Sequence, residues 1–250
     1  MQSFFSRAAV AAAVLAGSAT AAQAGLILTI GDSAGPTTFT CDNTTAAGVA
    51  SCGANGFLTM LNSNSIGLLS SFTVGGFQVG GSLTSSNNPG TATSAILNQT
   101  TLTASNVSGV AGSFFIDLLS VGFTLPAGPI LNLSGSSGGS ANSGGTGTIT
   151  NAYYADPTNV GLLSNGTSCA YAVATSFNCT AAPTQWTRSA GPFALRQVQT
   201  FALGANVSSI NTTNNLTVSR IPEPVSAALV GVALVALGLV SRRRRTAAQA

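Results

Sequence analysis

From residue 25 to residue 220 the chain is written in short bursts of apolar and polar positions. Residues 26–30 (LILTI) are apolar and β-branched and predict a first strand. Residues 56–61 (GFLTML) predict a second. Residues 71–83 (SFTVGGFQVGGSL) hold two alternating segments, with Phe72 and Val74, then Phe77 and Val79, on one side. Gly75-Gly76 between them predicts a tight hairpin or a bulge. Asn87-Asn88-Pro89-Gly90 is a turn signal, and residues 100–107 (TTLTASNV) alternate again. Residues 113–125 (SFFIDLLSVGFTL) are the most apolar of this region and predict a central strand or strand pair. Further strands are expected over 148–154, 193–203, 207–210 and 216–218, and residues 169–179 (CAYAVATSFNC) read as hairpin-like. Residues 134–147 (SGSSGGSANSGGTG) lose all periodicity and read as a flexible Gly/Ser loop at a boundary between halves.

Strand-sized segments recur every 10 to 15 residues, with turns between them and hardly any helical period. The expected fold is all-β, a sandwich or jelly-roll-like domain over 25–220. A β-solenoid would need a strict repeat, which the sequence lacks.

Both ends are written differently. Residues 1–24 carry Arg7, an uncharged apolar run over 8–16, and Ala22-Gln23-Ala24, an A-x-A cleavage site. This is the pattern of a secretory signal peptide helix whose removal leaves Gly25 as the first residue. At the other end, Pro222-Glu223-Pro224 precedes an uncharged apolar run over 225–240, and Arg242, Arg243, Arg244 and Arg245 close it. As a helix the run is roughly 24 Å long. That is short of the ~30 Å hydrocarbon core, but local thinning and snorkelling make up the difference. A transmembrane helix over 225–241 is therefore expected, with the arginines as a cytoplasmic stop-transfer cluster. The two prolines fix φ and remove two backbone donors, which keeps the segment before the helix extended and accessible.

This order of Pro-Glu-Pro, apolar run and arginine cluster resembles the PEP-CTERM sorting signal of bacterial exported proteins. The resemblance covers residues 221–245. It implies recognition of Pro222, Glu223 and Pro224 by an exosortase in the inner membrane, with cleavage nearby. It also implies an inner-membrane intermediate, followed by a place at the cell surface or in the extracellular matrix, often in association with polysaccharide. It implies nothing about the fold of the rest.

The formal net charge of +3 is a product of the two ends. Residues 25–220 contain Arg188, Arg196 and Arg220 against Asp32, Asp42, Asp117 and Asp156. Nucleic-acid binding requires several cationic phosphate contacts and is excluded as a partner class. Solubility must come from Ser, Thr, Asn and Gly. The chain has no histidine, which removes Ser-His-Asp and Cys-His machinery and histidine-based zinc sites. No catalytic motif, metal site or cofactor motif is present, and a non-enzymatic role is expected. Asp117 lies inside the most apolar stretch, but no second carboxylate is near in sequence to make a hydrolytic pair. It reads as facing solvent on an alternating strand or lying at a turn. Asp156-Pro157-Thr158-Asn159 reads as a turn.

Four cysteines form two close pairs in sequence, Cys41 with Cys52 and Cys169 with Cys179. Export places them where disulfides persist, and two local bridges are expected, although spacing alone leaves three pairings open. If a defined sugar ligand is bound, the expected stacking face is Trp186 beside Arg188, Trp186 being the one tryptophan of the chain. The expected role is a structural or polysaccharide-associated surface protein, with a carbohydrate-binding module or adhesin as the alternative and a secreted hydrolase behind both.

Overall fold

The computed structural model describes residues 25–221 except 36, 55, 82 and 143, with the backbone alone at Ser51 and Leu83. The signal-peptide residues Ala22 and Ala24, the Pro222-Glu223-Pro224 motif, the helix expected over 225–241 and Arg242–Arg245 lie outside the described residues. Among the described residues no helix is long and apolar enough to cross a membrane.

The described chain is all-β and antiparallel. In chain order the strands are β1 (Gly25–Asp32), β2 (Thr38–Asp42), β3 (Leu58–Asn62), β4 (Ser65–Leu68), β5 (Phe72–Val74), β6 (Phe77–Gly80), β7 (Leu83–Ser86), β8 (Ser94–Asn106), β9 (Gly112–Phe123), β10 (Ile130–Ala141), β11 (Gly147–Asp156), β12 (Gly166–Ala172), β13 (Phe177–Thr187), β14 (Phe193–Leu203) and β15 (Ser209–Arg220). One helix, α1 (Ala46–Ala54), follows β2. A first sheet has the order β12-β11-β14-β9-β1-β2, and a second β13-β10-β15-β8-β7-β4-β3, with the β5–β6 hairpin joined to β8. The buried side chains of both sheets form one hydrophobic core, the arrangement of a sandwich.

Alternation explains most of the strands. Along β9 the buried positions Phe114, Ile116, Leu118 and Ser120 alternate with half-buried ones, as period 2 requires. β9 is central, paired with β1 on one side and β14 on the other. The predicted Gly75-Gly76 hairpin is present: Val74 pairs with Phe77, and both glycines have positive φ (55° and 82°), the handedness a two-residue hairpin turn needs.

The expectation for residues 134–147 was wrong. Residues up to Ala141 form β10, an interior strand paired with β13 and β15, and Gly147 already opens β11. Its glycines leave room for rings supplied elsewhere. A Cβ on Gly135 would lie 2.3 Å from the Tyr153 ring, which comes from the opposite sheet. A Cβ on Gly139 would meet the Asn211 carbonyl at 2.0 Å and the Phe177 ring at 2.7 Å. Leu131 and Leu133 are buried at the start of the strand, but beyond them the core is filled by rings opposite glycine, so residues 134–141 carry no apolar pattern of their own.

Both cysteine pairs are bridged locally, Cys41–Cys52 and Cys169–Cys179, which fits an oxidising compartment. The hairpin expected between Cys169 and Cys179 is absent. β12 is the edge of the first sheet and β13 the edge of the second, so this bridge ties two sheets together along one side of the sandwich. On the other side Cys41 of the edge strand β2 is bonded to Cys52 of α1, which packs against β2 and β3.

Candidate functional site

An open trough of about 680 Å³ lies on the outer face of the second sheet. Four neighbouring strands build it, and their register sets out two transverse rows of residues. One row runs Asn178 (β13), Gly138 (β10), Thr213 (β15) and the Thr100-Thr101 pair (β8). The next runs Thr180, Ser136, Asn215 and Asn98. Strands are about 4.8 Å apart, so four of them span about 14 Å.

Bulges shape the trough. Thr212 pairs with Leu102 and Asn214 with Gln99, so β8 carries one extra residue there. Thr100 and Thr101 are consequently both exposed, while Gln99 and Leu102 on either side are buried. A second shift lies between Leu133 and Gly135 of β10, opposite Ala181 to Thr184 of β13. An extra residue bends a strand and raises its twist, and two of them around one set of strands produce concavity.

The lining is uncharged. Asn215 donates to the Asn98 side-chain carbonyl, and Thr217 donates its hydroxyl to Asn215 at 2.9 Å. The Asn98 carbonyl thereby has one partner, and its second lone pair and its N–H₂ remain for a ligand. The Thr213 hydroxyl reaches the Gly138 carbonyl at 3.4 Å.

Behind the floor, the interior of the sandwich is polar in its middle layer. Gln99 donates to Gln199 (3.2 Å) across the sheets, and Gln199 donates to the Ser137 hydroxyl (3.3 Å). Ser137 in turn donates to the Thr213 carbonyl (2.9 Å) and lies 3.0 Å from the Tyr171 hydroxyl. Tyr153 donates to Asn214 (2.7 Å), whose amide donates to Asn151 (3.2 Å). Aromatic clusters flank this layer: Phe77, Phe114 and Phe201 towards one end, and Phe123, Phe193 and Trp186 towards the other. Burial pushes the Tyr153 phenol far above its ordinary pKa, with the neighbouring Tyr171 adding to the shift. Burial also raises Tyr171, against the opposing hydrogen bonds of Ser137, Asn151 and Gln199. Both phenols therefore stay protonated. The Gln99 side-chain oxygen has no partner, but the remaining bonds of this buried network hold β8, β15 and β10 in one register, and with them the rows above.

The predicted stacking face is not one. Trp186 is 3% exposed and meets Phe193 edge-on at 5.4 Å between centroids. Arg188 lies over the same Phe193 ring, 5.1 Å from its centroid, and donates to the carbonyls of Pro126 (2.7 Å) and Gly191 (3.2 Å). Burial lowers its pKa. The pair closes one end of the core, since Trp186 occupies the buried phase of β13.

Each aspartate has a structural partner. Asp117 leaves the outer side of β9 and forms an ion pair with Arg196 of the adjacent β14, whose Nε donates at 2.9 Å. Arg196 also donates to the Gly161 carbonyl (2.8 Å), and its hydrogen bond to the Asp117 carboxylate raises its pKa. Asp117 is therefore neither at a turn nor simply solvated. Asp156 accepts from the Thr158 amide (2.8 Å) and hydroxyl (2.6 Å), from Val160 (3.0 Å) and from Leu162 (2.9 Å). Burial pushes its pKa up, but these bonds outweigh burial and hold the carboxyl below the usual range. Asp32 and Asp42 cap local turns through Ala34 and Thr44. Among the described residues no cluster of His, Cys, Asp or Glu could hold a metal ion.

None of the trough residues was singled out from sequence as a ligand contact. Their outward phase was readable from the alternation of single strands. That β13, β10, β15 and β8 lie side by side was not, because these neighbours are far apart in the chain.

No protein family and no curated protein matches the sequence. Among solved structures, the chain is similar to a carbohydrate-binding module, TmCBM61, in complex with β-1,4-galactotriose, at 10% identity and a TM-score of 0.28, covering 58% of this chain and 88% of that one. It is also similar to TmCBM27, described for specific mannan recognition, at 15% identity and a TM-score of 0.26, covering 58% and 90%. A family 11 carbohydrate-binding module from Clostridium thermocellum with a β-1,3-1,4-mixed-linked tetrasaccharide gives 8% identity and a TM-score of 0.26, covering 67% and 97%. At TM-scores this low the likeness decides neither fold nor ligand; the sheet order and the trough stand on their own.

Proposed function

We propose that this chain is an exported, non-enzymatic surface or matrix protein that associates with polysaccharide through the outer face of its second sheet. The observation that carries the reading is the trough. It is long, open and lined by amides and hydroxyls, and its two rows present both donors and acceptors. An extended sugar chain offers hydroxyls and ring oxygens to such a surface.

The ends of the sequence supply the address. Export with loss of residues 1–24 leaves Gly25 to open β1. Recognition of Pro222, Glu223 and Pro224 by an exosortase then separates the sandwich from the membrane-spanning tail and its arginines. The aspartates are spent on turns, an ion pair and a loop clamp, which supports a binding role over hydrolysis.

Two measurements test this. Intact mass of the protein recovered from the surface and medium of the producing cells is expected to correspond to a chain from Gly25 to the neighbourhood of Pro222–Pro224, with a gain of about four hydrogens on reduction. A mass that retains Arg242–Arg245 would show a plain membrane anchor and remove the exosortase. Cosedimentation of the processed protein with the cells' own extracellular polymer is expected. If the protein stays in the supernatant at every polymer concentration, polysaccharide association is refuted.

A further inference from the structure

Resting on that reading of the trough, we infer that its ligand class is a neutral polysaccharide, laid across the strands and held by hydrogen bonds alone. Three observations carry this.

The first is charge. The cationic side chains of the described residues are Arg188, Arg196 and Arg220. Arg188 is committed to two backbone carbonyls and the Phe193 ring, and Arg196 to Asp117. Arg220 ends β15, in register with Leu131, several residues along the strand from Asn215. None of the three lines the trough. A uronate or sulfate drawn into it would give up water without meeting a cation, and that desolvation is unfavourable. A neutral sugar exchanges hydrogen bonds to water for hydrogen bonds to Asn98, Asn178, Thr180, Thr213 and Asn215 at little net cost.

The second is direction. The rows lie across the strands at about 4.8 Å intervals; the row Thr180, Ser136, Asn215, Asn98 has a polar side chain on every strand, and the other has one on every strand except β10, where Gly138 stands. A polymer following the row from Thr180 to Asn98 meets a fresh donor or acceptor at each step. One running along the strands meets matched positions only every second residue.

The third is Gly138. It sits in the row between Asn178 and Thr213. Its φ is not positive, and a Cβ there would make only ordinary contacts, 3.4 Å to the Phe177 carbonyl and 3.8 Å to Asn178. Neither crowding nor backbone conformation therefore requires glycine, unlike at Gly135 and Gly139. Its absent side chain is what keeps the floor low at the middle of the row.

The test uses the processed protein recovered from its cells, in affinity electrophoresis against neutral polymers (a galactan, a mannan, a mixed-linkage glucan) and anionic ones (a polygalacturonate, an alginate). At least one neutral polymer is expected to retard it, with less than about a twofold change as salt is raised, because no ion pair is screened. The anionic polymers should retard it less. Gly138→Val fills the row and is expected to weaken binding about tenfold or more, with an unchanged thermal midpoint. Asn98→Ala, which alters no glycine, should weaken it about fivefold, the effect of one hydrogen bond.

Tighter, salt-sensitive binding of an anionic polymer would overturn the inference while leaving polysaccharide association intact. Full binding by both folded variants would overturn the trough as the site. Retardation by no polymer, including the cells' own, would overturn the inference together with the proposed function.

Discussion

Replacing Gly135 by alanine adds one methyl group to a strand, and the structure makes it one of the most damaging small changes available. The new Cβ would lie 2.3, 2.4 and 2.4 Å from three atoms of the Tyr153 ring. Carbon atoms in contact sit about 3.5–4.0 Å apart, so the ring or the strand must move by about 1.2 Å. Tyr153 has no exposed surface, and its hydroxyl is fixed to Asn214 at 2.7 Å. Overpacking of a tight core costs about 1–3 kcal/mol. If the ring swings away, the buried Tyr153–Asn214 bond goes with it, at about 1–3 kcal/mol more. A total of about 3 kcal/mol is expected, a large share of a domain stability of about 5–15 kcal/mol. Trp186 is the one tryptophan and is buried, so urea unfolding can be followed by its fluorescence. Gly138→Ala, three residues along the same strand, is the control. Its Cβ meets nothing closer than 3.4 Å, and it should be neutral or stabilising by about 0.5 kcal/mol through the unfolded chain. In a Tyr153→Leu background the cost of Gly135→Ala should shrink, since the colliding ring is gone. Equal stability of Gly135→Ala and Gly138→Ala, within about 0.5 kcal/mol, would refute the argument that β10 is built around a ring from the opposite sheet.

Three further outcomes are expected. Cys169→Ala with Cys179→Ala should cost about 2–3 kcal/mol in the chain-entropy view. Hydrogen exchange should rise first in β12 and β13, the two edges the bridge joins, and uniform exchange across both sheets would contradict this. The Asp156 carboxyl is held below its ordinary pKa, so its contribution is fully present above about pH 3.9 and is lost as pH falls through the lowered folded value. Asp156→Asn should be less stable at neutral pH by about 1–3 kcal/mol, and its stability should fall less steeply in acid than that of the parent. Tyr153 shifts the other way. Burial keeps its proton on, so its contribution is present below about pH 10 and is lost as pH rises above the unfolded value. Stability curves from pH 9 to 11 should therefore fall less steeply for Tyr153→Phe, and parallel curves would count against burial as the cause.

How far the fold could be read depended on whether a strand carries its own apolar side chains. β1, β9 and β14 do, and their positions were readable in the sequence; β8 was readable only from residue 100 onward, although the strand begins at Ser94. β10 carries no apolar pattern beyond Leu133. Its sequence, rich in glycine and serine, reads as a linker because the rings that cover it belong to Tyr153 and Phe177. Residues 169–179 were misread for a related reason. Two strands joined by a short connection normally pair, but here each pairs with a different sheet, and the disulfide spans the gap. Trp186 and Arg188 were plausible ligand contacts on residue type alone; the buried phase of β13 turned the indole inward against Phe193.

The sequence by itself determined the all-β class, the Gly75-Gly76 hairpin and the low charge of the region between residues 25 and 220. It also carried the processing signals expected at both ends. These are local properties, written within windows of about ten to thirty residues. Tertiary structure decided the rest: that β10 lies inside a sheet, that Asp117 meets Arg196, and that Asn98, Gly138, Asn178 and Asn215 share one trough. Each of these depends on which strands lie side by side. Strand neighbours are chosen by packing of the whole core, and no single stretch of sequence records that choice.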